Sequence, residues 1–303
     1  MKQSKIYFSI AFLLAVSLTC QSKVYRVFYL GGQSNMDGYG YVKELPSDLS
    51  KTFEDVMIYQ AQMAKDGEEP KGDGIWAKLK PGHGKDFKTD GKTNQYGERF
   101  GVELSFAQRM QELFPGESIA LIKYSRGGTS IAIGASSAGC WDPDYSEKNG
   151  VNQWDHYLAT LRGALQVEDI DGDGEKDQLI PTGIVWMQGE SDGHSAEVAI
   201  KYGENLTQLM DMIRASLRHD KLPLVIGRIS DSGKDEDGLV WDFGNVIRAA
   251  QEHFVENDPA AALVKTTDNY EYSDKWHYDS KGFIDLGIQF ADEMSRLLQK
   301  KEK

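Results

Sequence analysis

Apolar positions along the chain alternate between two rhythms. The runs at 24–30 (VYRVFYL), 55–60 (DVMIYQ), 118–124 (SIALIKY), 182–188 (TGIVWMQ), 223–229 (PLVIGRI) and 262–267 (ALVKTT) read as strands. Most are nearly continuous, as expected of parallel strands covered on both faces. Between them, 101–114, 153–166, 195–217 and 243–257 carry apolar residues at helical spacing, and a last helix is expected from about Lys281 to Leu298. Strands alternating with helices predict an α/β protein, a three-layer α/β/α sandwich around a mostly parallel sheet of five or six strands. No repeat of fixed period interrupts this order.

Two segments break the rhythm. At 61–97 the chain is rich in Lys, Gly and Asp, with Ile75, Trp76, Leu79 and Phe87 as its strong apolar residues. It reads as a long surface loop after the second strand, either functional or simply solvated. At the N-terminus, Lys2 and Lys5 precede an apolar run from about Ile6 to Leu18. That run is short for a bilayer span and fits a secretory signal peptide over residues 1–22, with a buried helix as the alternative. Residues 23–303 then form a single domain. The stretch SLTC loosely matches a bacterial lipobox, with Ser17 where Leu is usual, so lipid attachment at Cys20 is a further possibility. An exported protein, periplasmic or secreted, is expected, with no membrane span.

The composition adds exclusions. The formal charge is −13, and removing the two leader lysines makes it −13 − 2 = −15. No basic face for nucleic acid is visible, and a polyanionic partner is disfavoured at long range. Cys140 is the sole cysteine beyond the leader, so no disulfide framework is available and the fold must rest on its core.

Three strands end in polar, glycine-rich clusters: GGQSN after the first, SRGGTS after the third and QGESDG after the fourth. In open parallel sheets, ligands sit beyond the carboxyl ends of the strands, so the clusters should gather at one edge. Ser34 can be a nucleophile there or a turn residue. A serine nucleophile needs a base and a group that holds the base. Of six histidines, His277 follows the last strand, with Asp274 three residues earlier; His194, after QGESDG, can contact substrate. Neither Ser34 nor Ser130 stands in a G-x-S-x-G elbow, so the α/β-hydrolase arrangement is not expected around them.

The blocks GGQSNM, SRGGTS, WMQGESDG and DKWHYDSKG, together with YGERFGVELSFAQRM, resemble the SGNH-type hydrolases. More narrowly, they resemble the sialate O-acetylesterase and acetylxylan esterase group, carbohydrate esterase family six. The resemblance spans residues 30–282 in family order. It implies a flavodoxin-like fold and removal of acetyl groups from sugars through an acyl-serine. Ser34 would attack, His277 would move the proton and Asp274 would orient the histidine. Oxyanion donors would be the backbone amides of Ser34 and Gly128 and the side chain of Gln188, which replaces the Asn of the broader class. Gln33 and Asn35 flank the serine as supporting residues. Glu190 orients its neighbours or forms an ion pair. Arg126 can pair a substrate carboxylate or one of the protein's own acids. Trp76, Trp141 and Trp276 can stack on sugar faces or pack in the core. Alternatives are an O-acetyltransferase using the same machinery and a catalytically silent glycan-binding protein.

The stretch EDIDGDGEKDQLI is a separate signal. Asp169, Asp171, Asp173, Glu175 and Asp177 follow the start of a calcium-binding loop, with Ile180 at the twelfth position instead of a bidentate Glu. A structural Ca2+ or an acidic solvated turn both fit. No cofactor is expected for catalysis.

Overall fold

In a computed structural model, residues 22–301 are described, apart from 64, 66 and 147–149. The expected leader and Cys20 lie outside the described residues. The strands of the main sheet are β1 (Val24–Gly32), β2 (Val56–Gln60), β3 (Trp76–Lys78), β4 (Ser118–Ser125), β5 (Gln178–Met187), β6 (Leu224–Gly227) and β7 (Ala261–Val264). They form one sheet in the order β7-β6-β5-β1-β4-β2-β3. All neighbours are parallel except β3, which runs antiparallel to β2.

The sheet therefore has seven strands, one more than the apolar runs predict. The extra strand comes from the 61–97 excursion. Its three residues are too few to show a period, and pairing with β2 fixes them instead. Tyr59 faces Trp76 and Met57 faces Lys78 across that pair, while Trp76 Nε1 donates to the Ala164 carbonyl at 2.9 Å.

The helices are α1 (Ser34–Asp37), α2 (Glu103–Leu113), α3 (Gln153–Leu165), α4 (Ala196–Ala199), α5 (Tyr202–Ser216), α6 (Gly244–Asn257) and α7 (Ser280–Lys301). The single helix expected over 195–217 is broken. Lys201 N–H bonds back to Val198, three residues earlier, at 3.0 Å, so a tight turn separates α4 from α5. Side chains alternate faces along a strand, and β1 shows the layers directly. Phe28 meets Phe106 of α2 at 5.3 Å between ring centroids, and the next residue, Tyr29, meets Tyr157 of α3 at 4.6 Å. α7 lies beside α2, because a methyl at Gly287 would come within 2.1 Å of Ser105 Oγ. α5 shares the α3 side, through Tyr157 Oη and Ser216 Oγ at 2.6 Å. The three-layer expectation is met. No helix among the described residues is long and apolar enough to cross a membrane.

Candidate active site

Strand β1 delivers Ser34 to the sheet edge. Gly32 has φ +143°, and a Cβ there would lie 1.9 Å from the Met187 carbonyl oxygen at the end of β5. Only glycine allows that approach. Gln33 N–H donates to the same carbonyl at 2.9 Å, and the chain then turns into the one-turn helix α1. Its N-cap is Gln33, with no side-chain cap bond, so Ser34 opens the helix without capping it.

The glycine block after β4 packs against this turn. A methyl at Gly127 would sit 3.2 Å from Ser34 Cβ and 3.3 Å from Asp37 Oδ2, and Gly128 has φ +76°. Asp37 is buried and accepts hydrogen bonds from the Ser125 hydroxyl and the Gly127 amide; burial pushes its carboxyl up to about 6. Sequence reading gave Asp37 no role, although it lies one helical turn after Ser34.

The Asp274–His277 pair sits in the loop before α7. Asp274 Oδ2 meets His277 Nδ1 at 2.7 Å. Asp274 Oδ1 accepts the backbone amides of Trp276 at 2.7 Å and His277 at 2.8 Å. This clasp holds the carboxylate against one ring nitrogen. Burial lowers the His277 pKa and Asp274 partly opposes that, while Lys85 and Arg99 lower it further. The imidazole is therefore neutral, and a base, at neutral pH. Tyr39 stacks on the ring at 3.5 Å between centroids, with planes 6° apart, and Lys85 Nζ lies 4.7 Å from the Tyr39 ring centroid.

Ser34 and His277 open onto one cavity of about 630 Å³. Its wall includes Lys85, Arg126, His194 and Trp276. The 61–97 excursion is thus only partly a surface loop. It supplies Met63 and Lys85 to the cavity, buries His83 and Phe87, and is tied to α1 by the Lys85 amide on the Gly38 carbonyl at 3.0 Å. Behind the site, Lys123 is fully buried. Its ammonium donates to Glu103 Oε2 at 2.8 Å, the His83 carbonyl at 2.8 Å and the Asp37 carbonyl at 2.9 Å.

The supporting residues divide. Asn35 Nδ2 donates to Glu190 Oε1 at 2.7 Å and to the Trp276 carbonyl at 3.2 Å, linking the serine turn to the histidine loop. Glu190 is buried, which raises its pKa. The Gln33 side chain lies 3.3 Å from the amides of Gly189 and Ser191. Gln188 is the side chain expected to donate to the oxyanion. It is fully buried, and its side-chain nitrogen donates to Asp192 Oδ2 at 2.6 Å and to the Thr129 carbonyl at 3.2 Å. Both N–H groups are committed to neighbours here, so the amide braces the glycine block. Asp192 also accepts the amides of Ile131 and Ala132 at 3.1–3.2 Å, and burial pushes its carboxyl up to about 7.

The tryptophans also divide. Trp141 is buried against Trp186, and Trp76 sits on the edge strand; of these three, Trp276, 48% exposed, lines the cavity. His194 lies edge-on to Trp241, with ring centroids 5.1 Å apart. Burial pushes the Cys140 thiol up to about 12, which makes it a packing residue.

In the acidic loop, Asp169, Asp171 and Asp177 each place a carboxylate oxygen within 4.8 Å of the others. Asp173 and Glu175 are not part of that triad. Lys23 pairs with Asp171 and Asp173 and supplies positive charge there.

Among solved structures, the chain is similar to a protein from Arabidopsis thaliana (20% identity, TM-score 0.63, 89% of this chain and 97% of that one). It is also similar to a carbohydrate acetylesterase from Xanthomonas citri (20%, 0.61, 91% and 56%) and to NanS (17%, 0.58, 92% and 99%). At these identities the likeness shows the fold. No protein with a curated function matches the sequence. A family model described as carbohydrate esterase, sialic acid-specific acetylesterase matches residues 24–296, and the chain belongs to that family of ester-hydrolysing enzymes.

Proposed function

We propose that the protein removes acetyl groups from O-acetylated sialic acid through an acyl-serine intermediate. The observation that carries this reading is the shared cavity, where Ser34 and His277 meet a wall bearing Lys85 and Arg126. Ser34 Oγ adds to the acetyl carbonyl as its proton passes to His277 Nε2. Asp274, on Nδ1, fixes the tautomer and stabilises the imidazolium. The backbone amides of Ser34 and Gly128 receive the oxyanion; removing one such donor costs about a hundredfold or more in other enzymes. Collapse expels the sugar oxygen, which takes the proton from His277. Water, deprotonated by the same histidine, then releases acetate and regenerates Ser34.

Net charge alone favours a neutral substrate, but the cavity wall supports an anionic one. Two basic side chains, Lys85 and Arg126, line the space where the sugar must lie, and Arg126 carries a fork suited to a carboxylate. The test is acetate release from O-acetylated sialic acid and from acetylated xylan, with Arg126→Ala beside the wild type. The expected result is a preference for the sialate, and a loss of about tenfold or more on it in the variant, with the xylan rate retained. Equal losses on both would refute the anionic reading. Acetyl transfer to an added sugar in place of water would mark a transferase. The calcium expectation remains part of the proposal, with Asp169, Asp171 and Asp177 as the carboxylates that would hold the ion.

A further inference from the structure

A second hollow, of about 270 Å³, meets the first at Trp241, which lines both. Its wall carries Leu239, Asp231, Asp242, Asn245 and Arg248. The charged groups there differ in what they already hold. Asp231 is committed to its own loop, accepting the amides of Gly233, Val240 and Trp241 at 2.8–3.0 Å. Asp242 is exposed to solvent. Arg248 is half-buried on the first turns of α6, and its guanidinium makes no ion pair or hydrogen bond with another described residue.

That is unusual within this molecule. Other arginines withdrawn from solvent are matched: Arg26 with Glu117, Arg214 with Asp258, and Arg228 with Glu252 and Asp268. In a chain with 47 acids against 34 bases, an arginine has no shortage of partners. A guanidinium carries five donors in a planar fork that fits a carboxylate bidentately. Beside an indole and a leucine it forms a polar anchor in a partly apolar hollow, the usual make-up of a small-molecule subsite.

We propose that this hollow is an accessory subsite for the sugar unit glycosidically linked to the acetylated one, with Arg248 binding that second unit's carboxylate. The inference rests on the sialate esterase reading. It makes the preferred substrate an acidic oligosaccharide rather than the free monosaccharide. The acetylated unit occupies the larger cavity, and the chain continues past Trp241.

The test compares kcat/KM on three acetyl esters: a simple aryl acetate, O-acetylated sialic acid, and an O-acetylated sialic acid dimer whose second unit has its own carboxylate. The wild type should favour the dimer over the monosaccharide by about ten- to a hundredfold, the range for a charge-assisted hydrogen-bonded contact. In Arg248→Gln that ratio should fall towards one. Arg248→Lys, which keeps the charge without the fork, should give an intermediate ratio. A wild-type ratio near one, or a high ratio unchanged in Arg248→Gln, would overturn the subsite. Cleavage of the aryl acetate with neither sugar touched would instead overturn the sialate reading, and the subsite with it. Calorimetry of Ser34→Ala with the unacetylated dimer supplies a readout independent of turnover. Binding that Arg248→Gln weakens about tenfold or more supports the subsite, and unaltered binding rejects it.

Discussion

The buried Lys123–Glu103 pair behind Ser34 offers a demanding stability test. Both side chains are fully buried, with 2.8 Å between Nζ and Oε2. All three ammonium donors are taken, by Glu103 and by the carbonyls of His83 and Asp37. Glu103 Oε1 accepts the Gly101 amide at 2.9 Å. Lys123→Met fills similar volume but leaves a buried carboxylate with its cation gone and two carbonyls without their donor. Breaking a buried pair in this way costs about 3–5 kcal/mol. At this chain length that corresponds to a fall in Tm of roughly 5–9 °C. Because Lys123 ties the end of α1 to the 61–97 excursion, kcat should fall as well. The assay is urea unfolding followed by tryptophan fluorescence, on the two single variants Lys123→Met and Glu103→Gln and on the double variant. If the uncompensated charge is the main cost, the double variant will lose less than the sum of the two singles. A Lys123→Met protein within about 0.5 kcal/mol of wild type, the neutral range for surface changes, or strictly additive losses, would refute the reasoning.

Two further outcomes follow from the same geometry. Activity requires neutral His277, so the rate should be full at neutral pH and fall as acid protonates the imidazole, below the usual histidine range. Asp274 raises that pKa and the cations Lys85 and Arg99 lower it, with the rings of Tyr39 and Trp276 as the aromatic neighbours. Removing a cation in Lys85→Gln should move the acid limb of the pH–rate profile to higher pH; an unmoved limb, or a shift to lower pH, would contradict the assignment. For the acidic loop, added Ca2+ should raise the Tm and a chelator should reverse the rise. A Tm unaffected by both would leave Lys23 as the loop's counter-charge.

Much of this architecture is legible in the sequence because burial on both faces writes long apolar runs; β1 and β4 appear there nearly at full length, while β5 begins four residues before its run. What escapes is whatever depends on partners far along the chain. Lys123 sits within the run SIALIKY, where a lysine reads as solvent-facing, yet it is the most deeply embedded cation of the site. β3 has three residues and exists only through β2. Gln188 lies in the expected block, but its direction is set by Asp192, four residues on, and by Thr129. Asp192 stands inside WMQGESDG and Asp37 directly follows GGQSNM; carboxylate spacing from Gln188 and Ser34 is the available signal. The Tyr39 stack on His277 joins residues 238 positions apart and left no trace in any local pattern.

The central claim is that Ser34 carries the acetyl group. The most direct measurement is mass spectrometry of the protein quenched in acid during turnover of an aryl acetate, with Ser34→Ala as control. The account predicts an added acetyl on the peptide containing Ser34, absent from the variant, and acetate release reduced by several orders of magnitude, as when a catalytic nucleophile is removed. Undiminished acetate release by Ser34→Ala would contradict it.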